Sequence, residues 1–345
     1  MASKNGEIER AIAAAMKNYH IPGLAAGIFK NERVVFAKGY GVASLELGTP
    51  ISPSMPFRIG SISKSFTAAA ILMLAEKGKL RLDDSIAKFF SNAPAAWRSI
   101  TVEDLLAHRS GIADYSNKKF SKQGGIFDLR QDFKESELVR RSYRLPIEFN
   151  PGKKFSYSNT NYMLLGFIIR KITGEFYYRF IKKGILAPLG MNSAAVYNHS
   201  EIVNGRPSGY EFSAGRIANA RFVSDTFNNT ADGALYCNIF DMAKWFSALY
   251  NHKVLSKNSV DQMLSIKTPI RGSNYGYGYG WFVRENKTGK VAEHTGSWGG
   301  FTAVVKMDFA SKTAVAVFTN ISRGSSRWLL DEASKILGLA EVGRC

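Results

Sequence analysis

The sequence predicts an α+β protein, with a sheet domain assembled from both ends of the chain and a mostly helical domain inserted between them. Three observations carry this. Two apolar runs of strand length lie near the N-terminus, separated by a polar turn. Three more such runs follow residue 275. Between about residues 78 and 222 the spacing is that of helices and loops. The expected division is a discontinuous α/β domain of residues 1–77 and 230–345, with residues 78–229 as the inserted helical domain.

Residues 7–18 place Ile8, Ile12, Ala15 and Met16 on one helix face, and His20-Ile21-Pro22-Gly23 breaks that helix. Residues 24–29 form a buried strand, residues 30–33 a turn and residues 34–40 a second strand, together an antiparallel hairpin. Residues 67–74 are almost wholly apolar and read as a deeply buried helix opened by Gly60-Ser61. Thr101 and Asp104 suit the first turn of a short helix over 101–106, with Asp in the place of the usual capping-box Glu or Gln. Residues 136–144 and 161–171 are further helices, and residues 186–197 are a turn around Pro188-Leu189-Gly190. Residues 204–229 are polar and irregular and are expected to form a rim loop. A helix over 241–249 precedes strands over 278–283, 301–307 and 314–320, and residues 326–337 form a closing helix.

Composition narrows the function. The 345 residues are 45% hydrophobic and 21% charged, enough for a large core. No run approaches the roughly 18 apolar residues of a membrane span. The N-terminus carries no apolar signal-peptide core. The expectation is therefore a cytoplasmic protein, or a periplasmic or secreted one whose leader has been removed. The two cysteines, Cys237 and Cys345, make no disulfide framework. No Cys/His cluster has metal-ligand spacing, so neither a metal nor another cofactor is expected. The net charge of +18 favours anionic partners, including anionic polymers. The basic residues form short doublets such as Lys118-Lys119 and Lys153-Lys154 without a nucleic-acid motif, so nucleic acid is not an expected partner.

The chemistry centres on Ser61-Ile62-Ser63-Lys64. Residues three apart share a helix face, so Ser61 and Lys64 point the same way. A hydroxyl needs a neighbour to take its proton. A lysine in a dry pocket can do so, because desolvation favours the neutral amine. The free N–H groups of a helix start suit a developing oxyanion. A phosphate loop is the rival reading, but Ser63 stands where that motif needs its second Gly.

Two more clusters complete the arrangement. Tyr157-Ser158-Asn159 follows the turn signal Pro151-Gly152 and precedes a helix. A phenol beside a cationic lysine loses its proton more readily. Tyr157 is thus a candidate base for Ser61 or proton donor to the leaving group, and the Asn159 amide can hold a substrate carbonyl. The other cluster, His294-Thr295-Gly296-Ser297, lies between two expected strands with small residues that admit a ligand to the backbone. The Ser297 N–H is a candidate second oxyanion donor beside that of Ser61. His294 is a candidate contact for a substrate carboxylate or a modulator of the Tyr–Lys pair; a satisfied strand histidine is the alternative.

In this order the three clusters resemble the serine β-lactamase and penicillin-binding protein superfamily. They resemble most its class C-like branch of β-lactamases, D-Ala-D-Ala carboxypeptidases, D-aminopeptidases and family VIII carboxylesterases. The segments Leu105-Leu106-Ala107-His108-Arg109-Ser110-Gly111 and Asn150-Pro151-Gly152 add to the resemblance, which covers nearly the whole chain. It implies a β-lactamase/transpeptidase-like fold, an antiparallel sheet flanked by helices plus a mostly helical domain, with the site in the cleft between. It implies Ser61 as acylated nucleophile, Lys64 and Tyr157 sharing the proton work, and Asn159 orienting the acyl side chain. His294, Thr295 and Gly296 would form the edge strand on which substrate lies. The implied activity is that of a serine hydrolase on an ester, peptide or β-lactam substrate. A catalytically idle penicillin-binding or sensing domain is the alternative. His294 departs from the Lys of Lys-Thr-Gly; a mostly neutral imidazole is a weaker partner for the β-lactam carboxylate. His108 is expected to be a structural loop residue.

Overall fold

The computed structural model describes residues 2–341 apart from 199, 287, 288 and 325, so Cys345 lies outside the described residues. In chain order, helix α1 (Ala2–Asn18) leads into strands β1 (Gly23–Lys30) and β2 (Arg33–Gly41). A short strand, β3 (Phe57–Arg58), and a 3-10 turn at Gly60–Ile62 feed helix α2 (Ser63–Glu76). Helices α3 (Val102–Leu106), α4 (Lys118–Ser121), α5 (Glu135–Ser142), α6 (Asn159–Thr173) and α7 (Tyr177–Ile181) follow. Next come β4 (Ala195–Val196), β5 (Tyr210–Ser213), β6 (Arg216–Asn219), α8 (Asp225–Asn228) and β7 (Leu235–Cys237). Helices α9 (Ile239–Tyr250) and α10 (Lys257–Met263) precede β8 (Thr268–Pro269), β9 (Tyr275–Tyr277), β10 (Phe282–Asn286) and β11 (Gly289–Trp298). The chain closes with β12 (Phe301–Asp308), β13 (Thr313–Thr319), β14 (Ile321–Ser322) and α11 (Arg327–Glu341).

Eight strands form one antiparallel sheet in the order β2-β1-β13-β12-β11-β10-β9-β8. The two chain ends join where β1 pairs β13, from Leu24 opposite Thr319 to Lys30 opposite Thr313. Both faces of the inner strands are covered, which explains why β1, β12 and β13 read as continuous apolar runs rather than alternating ones. Leu24, Ala26, Ile28, Val304, Val315 and Val317 pack with Ile8, Ile12 and Leu329 from α1 and α11. The alternate residues, among them Ala25, Phe29, Val305 and Phe318, join the core formed with α2 and α9. In that core Phe66 of α2 stacks on Trp245 of α9 at 4.2 Å between ring centroids.

Four expectations change. Residues 204–229 are not wholly irregular, because β5 and β6 form a hairpin from Tyr210 opposite Asn219 to Ser213 opposite Arg216. Tyr210-Glu211-Phe212-Ser213 alternates apolar and polar residues over the four positions that mark the shortest strand, while Arg216-Ile217-Ala218-Asn219 does not, so the hairpin has only one weakly marked strand. The expected strand over 278–283 begins only at Phe282, since Gly280 adopts φ +76° and turns the chain. The His294 cluster lies within strand β11 rather than between strands. The buried helix starts at Ser63, which leaves Ser61 in the preceding 3-10 turn. The Thr101–Asp104 capping box forms as the spacing suggests, with both reciprocal bonds present.

Because Phe66 is fully buried against Trp245, Phe66→Ala should destabilise the fold by about 3–5 kcal/mol. Urea unfolding followed by tryptophan fluorescence measures this, and a loss below about 1 kcal/mol would show that the stack contributes little.

Candidate active site

Three segments converge on one cleft of about 160 Å³, lined by Gly60, Ser61, Ser116, Asn159, Asp232 and Ser297 among others. Ser61 is placed by the 3-10 turn ahead of α2. That turn is pinned from below by Ser63, whose hydroxyl accepts from the Leu235 N–H at 3.0 Å. Thr67, one turn further on, donates to the Ala231 carbonyl at 2.7 Å.

Lys64 has no solvent-exposed surface. Its Nζ lies 3.0 Å from Ser61 Oγ, 2.8 Å from Asn159 Oδ1 and 2.7 Å from the Asp232 carbonyl oxygen. Burial lowers its pKa to about 8, against the opposing pull of Asp232 and Asp114. Two of the three partners, an amide oxygen and a backbone carbonyl, can only accept. In the neutral amine the two N–H bonds therefore satisfy those oxygens, and the lone pair is left for the Ser61 hydroxyl.

Tyr157 stands on the loop before α6, with its phenol near the Ser61 side chain. Lys64 Nζ lies 5.0 Å from the Tyr157 ring centroid. The expectation that the cation makes Tyr157 more acidic is corrected. Burial drives the phenol pKa upward, and the nearby Ser61 hydroxyl offsets only part of that. Tyr157 is held as a neutral phenol, while Lys64 is the group with an accessible neutral form.

Asn159 donates through Nδ2 to Asp114 Oδ2 and Ser116 Oγ, both at 3.1 Å, while its Oδ1 accepts from Lys64. Its amide orientation is thus fixed, and both ends are engaged before any ligand arrives.

His294 is buried. Its Nδ1 and the Thr295 carbonyl are 2.6 Å apart, and Tyr277 Oη lies 3.1 Å from Nε2. A carbonyl only accepts, so Nδ1 carries the proton and Tyr277 donates to Nε2. Burial and the nearby Lys64 lower its pKa to about 3. His294 is a neutral strand residue with both nitrogens occupied, as the bland reading of it expects, rather than a cation facing the cleft. Thr295 Oγ1 receives a hydrogen bond from Ser326 at 2.8 Å.

Strand β11 lies inside the sheet, yet β10 pairs with it only as far as Glu293. From His294 to Trp298 its β10 side has no strand partner, so this stretch is an edge locally. It meets the serine turn at van der Waals contact. A Cβ on Gly296 would stand 1.9 Å from the Ile59 carbonyl oxygen and 2.9 Å from the Ser61 nitrogen. A Cβ on Gly60 would stand 2.8 Å from the Ser297 nitrogen. Only glycine at both positions lets the N–H groups of Ser61 and Ser297 approach one another.

Several contributors carry no sequence signal of their own. Asp114, Ser116 and Asp232 sit in loops without a motif, and Tyr277 sits in a three-residue strand. Asp232 is buried, its carboxylate accepting from Tyr115 Oη at 2.9 Å, and burial raises its pKa. His108 proves structural in a specific way. Its carbonyl accepts from the Ser156 N–H at 2.9 Å and its Nδ1 from the Ser158 N–H at 3.2 Å, and its ring lies 4.3 Å from that of Tyr157. It clamps the loop that carries the phenol.

An antiparallel sheet covered by helices, with a Ser–Lys–Tyr cluster where helix, loop and strand meet, is the architecture of the β-lactamase/transpeptidase-like proteins. The chain belongs to the beta-lactamase family, whose profile matches residues 8–338. It is 30% identical over 324 residues to the putative penicillin-binding protein PbpX of Bacillus subtilis, covering 93% of this chain and 76% of that protein. It is 28% identical over 285 residues to penicillin-binding protein 4* of the same organism, covering 79% of this chain but only 62% of that protein's length. The octameric penicillin-binding protein homologue from Pyrococcus abyssi superposes with a TM-score of 0.84 at 31% identity, covering 97% of this chain and 77% of that one. Among the described residues no helix is long and apolar enough to cross a membrane, and no acidic, His or Cys cluster has the makings of a metal site.

Burial holds His108 and His294 neutral, His108 with a pKa well below the usual value. Imidazole NMR spectra should therefore show neither titrating between about pH 5 and 8. Titration of either near 6.5 would mean that water reaches these rings.

Proposed function

We propose that this protein is a serine hydrolase that forms a covalent acyl-enzyme at Ser61 and acts on ester or amide substrates. Within that class the reading favours a carboxylesterase or a D-Ala-D-Ala carboxypeptidase/D-aminopeptidase type of substrate over dedicated β-lactam hydrolysis. The observation that carries it is the placement of the Lys64 amine, dry, hydrogen-bonded to Ser61 and lowered to a pKa of about 8. The neutral His294 offers no fixed cation to a β-lactam carboxylate, nor to the C-terminal carboxylate of a D-Ala-D-Ala peptide, so it supports the ester reading most directly.

In the proposed reaction neutral Lys64 takes the Ser61 proton as Oγ attacks the substrate carbonyl. The oxyanion is held by the N–H groups of Ser61 and Ser297. Tyr157, a phenol close to Ser61, passes a proton to the departing alkoxide or amine and is reprotonated from Lys64. Asn159 keeps Lys64 aimed and borders the acyl group, while the strand from His294 to Ser297 supports the substrate backbone. Water then repeats the sequence, giving its proton to the same base, and Ser61 leaves the acyl carbon as the alcohol. The reading takes residues 1–77 and 230–345 as one domain and 78–229 as the helical insert. The meeting of Ser61 with Tyr157 and Asn159 across a cleft supports that division.

The test is turnover of p-nitrophenyl butyrate, nitrocefin and a D-Ala-D-Ala peptide in parallel, with intact mass spectrometry of Ser61. Hydrolysis with a transient adduct is the expected result, lost in Ser61→Ala. Tyr157→Phe should lower the rate by about 10²-fold. A stable adduct without product release would identify a sensing domain instead. The absence of both adduct and turnover would overturn the reading.

A further inference from the structure

Beyond the catalytic cleft, on the far side of a side-chain bridge, lies a second cavity of about 400 Å³. Three arginines line it, Arg58, Arg206 and Arg221, with Ser208 and the rings of Tyr197 and Tyr236. None of its lining residues is Asp or Glu.

Arg58 is the informative member. It is half-buried, with its guanidinium carbon 4.2 Å from the Tyr197 ring centroid and 5.4 Å from that of Tyr236. Its Nε donates to Tyr236 Oη at 2.9 Å and its Nη1 to Asn228 Oδ1 at 2.5 Å. Both partners are neutral, and no carboxylate pairs with Arg58 among the described residues. Its Nη2 makes no hydrogen bond among them. A Cβ on Gly299 would come within 3.0 Å of Nη1, so glycine keeps that side of the guanidinium open. Arg206 is exposed and has no ion pair among the described residues. Arg221 has one partner, Glu211 at 3.3 Å, in a solvent-exposed pair that holds it weakly. A partly desolvated cation without a counter-ion, as Arg58 is, is costly, and a cavity that adds the guanidinium groups of Arg206 and Arg221 to it is completed by an anion. The planar guanidinium fork matches carboxylate, sulfate or phosphate oxygens.

The cavity is also wired to the reacting end. Asn228 Oδ1 accepts from Arg58 and, at 2.9 Å, from Trp298 Nε1. Phe227 and Trp298 line the cleft of Ser61, and Asn228 and Gly299 line the arginine cavity. A molecule lying along β11 and continuing past Ser297 therefore arrives at the arginines.

We propose that this cavity is an anion subsite, which takes an oxyanion borne on the arm of a small substrate whose reacting carbonyl sits at Ser61. The substrate class becomes acidic esters or amides, with a carboxylate, sulfate or phosphate a few bonds from the acyl carbon. This assignment of substrate rests on the hydrolase reading; the anion site itself does not.

The two parts are tested separately. Isothermal titration with inorganic phosphate reads the cavity without any turnover. Binding should weaken about tenfold in Arg206→Gln/Arg221→Gln and be retained in Lys77→Gln/Lys79→Gln, which removes the same charge from the exposed turn that follows α2. Kinetics with mono-p-nitrophenyl glutarate and p-nitrophenyl butyrate read the substrate role. The glutarate-to-butyrate ratio of kcat/KM should fall about tenfold in the arginine pair only. Equal losses in the arginine and lysine pairs would reduce the effect to net charge and overturn the site. Phosphate binding lost with an unchanged ester ratio would overturn the substrate role alone. No hydrolysis of either ester, nor of the D-Ala-D-Ala peptide or nitrocefin, and no adduct at Ser61, with arginine-dependent phosphate binding intact, would refute the hydrolase reading and leave the anion site standing.

Discussion

A lysine amine sealed from water must find acceptors for its hydrogens or give up its charge, and Lys64 is poised between the two. Burial works against the ammonium, and the fields of Asp232 and Asp114 work for it. The outcome near pKa 8 depends on both. The Asn159 Oδ1 and the Asp232 carbonyl oxygen can accept but never donate, so they decide which way the free lone pair faces. The catalytic proposal depends on this arrangement more than on Tyr157, whose phenol burial keeps protonated.

That arrangement needs three distant parts of the chain at once. Lys64 comes from α2, Asn159 from the first turn of α6 and Asp232 from the segment before β7. The serine turn must also touch strand β11, which the glycines at 60 and 296 permit. The strand serves because β10 stops pairing at Glu293 and leaves the following residues uncovered on that side. The same strand leads past Trp298 towards the arginine cavity, so one element ties the reacting centre to the proposed anion subsite.

Much of this was legible in the sequence, for identifiable reasons. Ser61 and Lys64 are three residues apart and share a face by helical geometry alone, and the structure keeps them 3.0 Å apart. Tyr157 and Asn159 were marked by a turn signal before a helix. The buried strands and the Thr101–Asp104 capping box follow from local pattern. Asp114 and Asp232 were invisible because their roles are created by contacts across 45 and 168 residues of chain, to Asn159 and Lys64. The direction of the Tyr157 shift is hidden from the sequence for a related reason. A sequence gives adjacency of charges but not the depth of burial, and here burial dominates. The β5–β6 hairpin is faint in the sequence because only β5 alternates, and only over four residues.

The most direct measurement of the central claim is the acylation rate of Ser61 as a function of pH, followed by stopped flow with a chromogenic ester. If Lys64 is the base, kcat/KM for acylation rises with pH and levels off above a pKa of about 8, because only the neutral amine accepts the serine proton. A rate that is flat across that range, or that keeps climbing to the ordinary lysine value near 10.4, would contradict it.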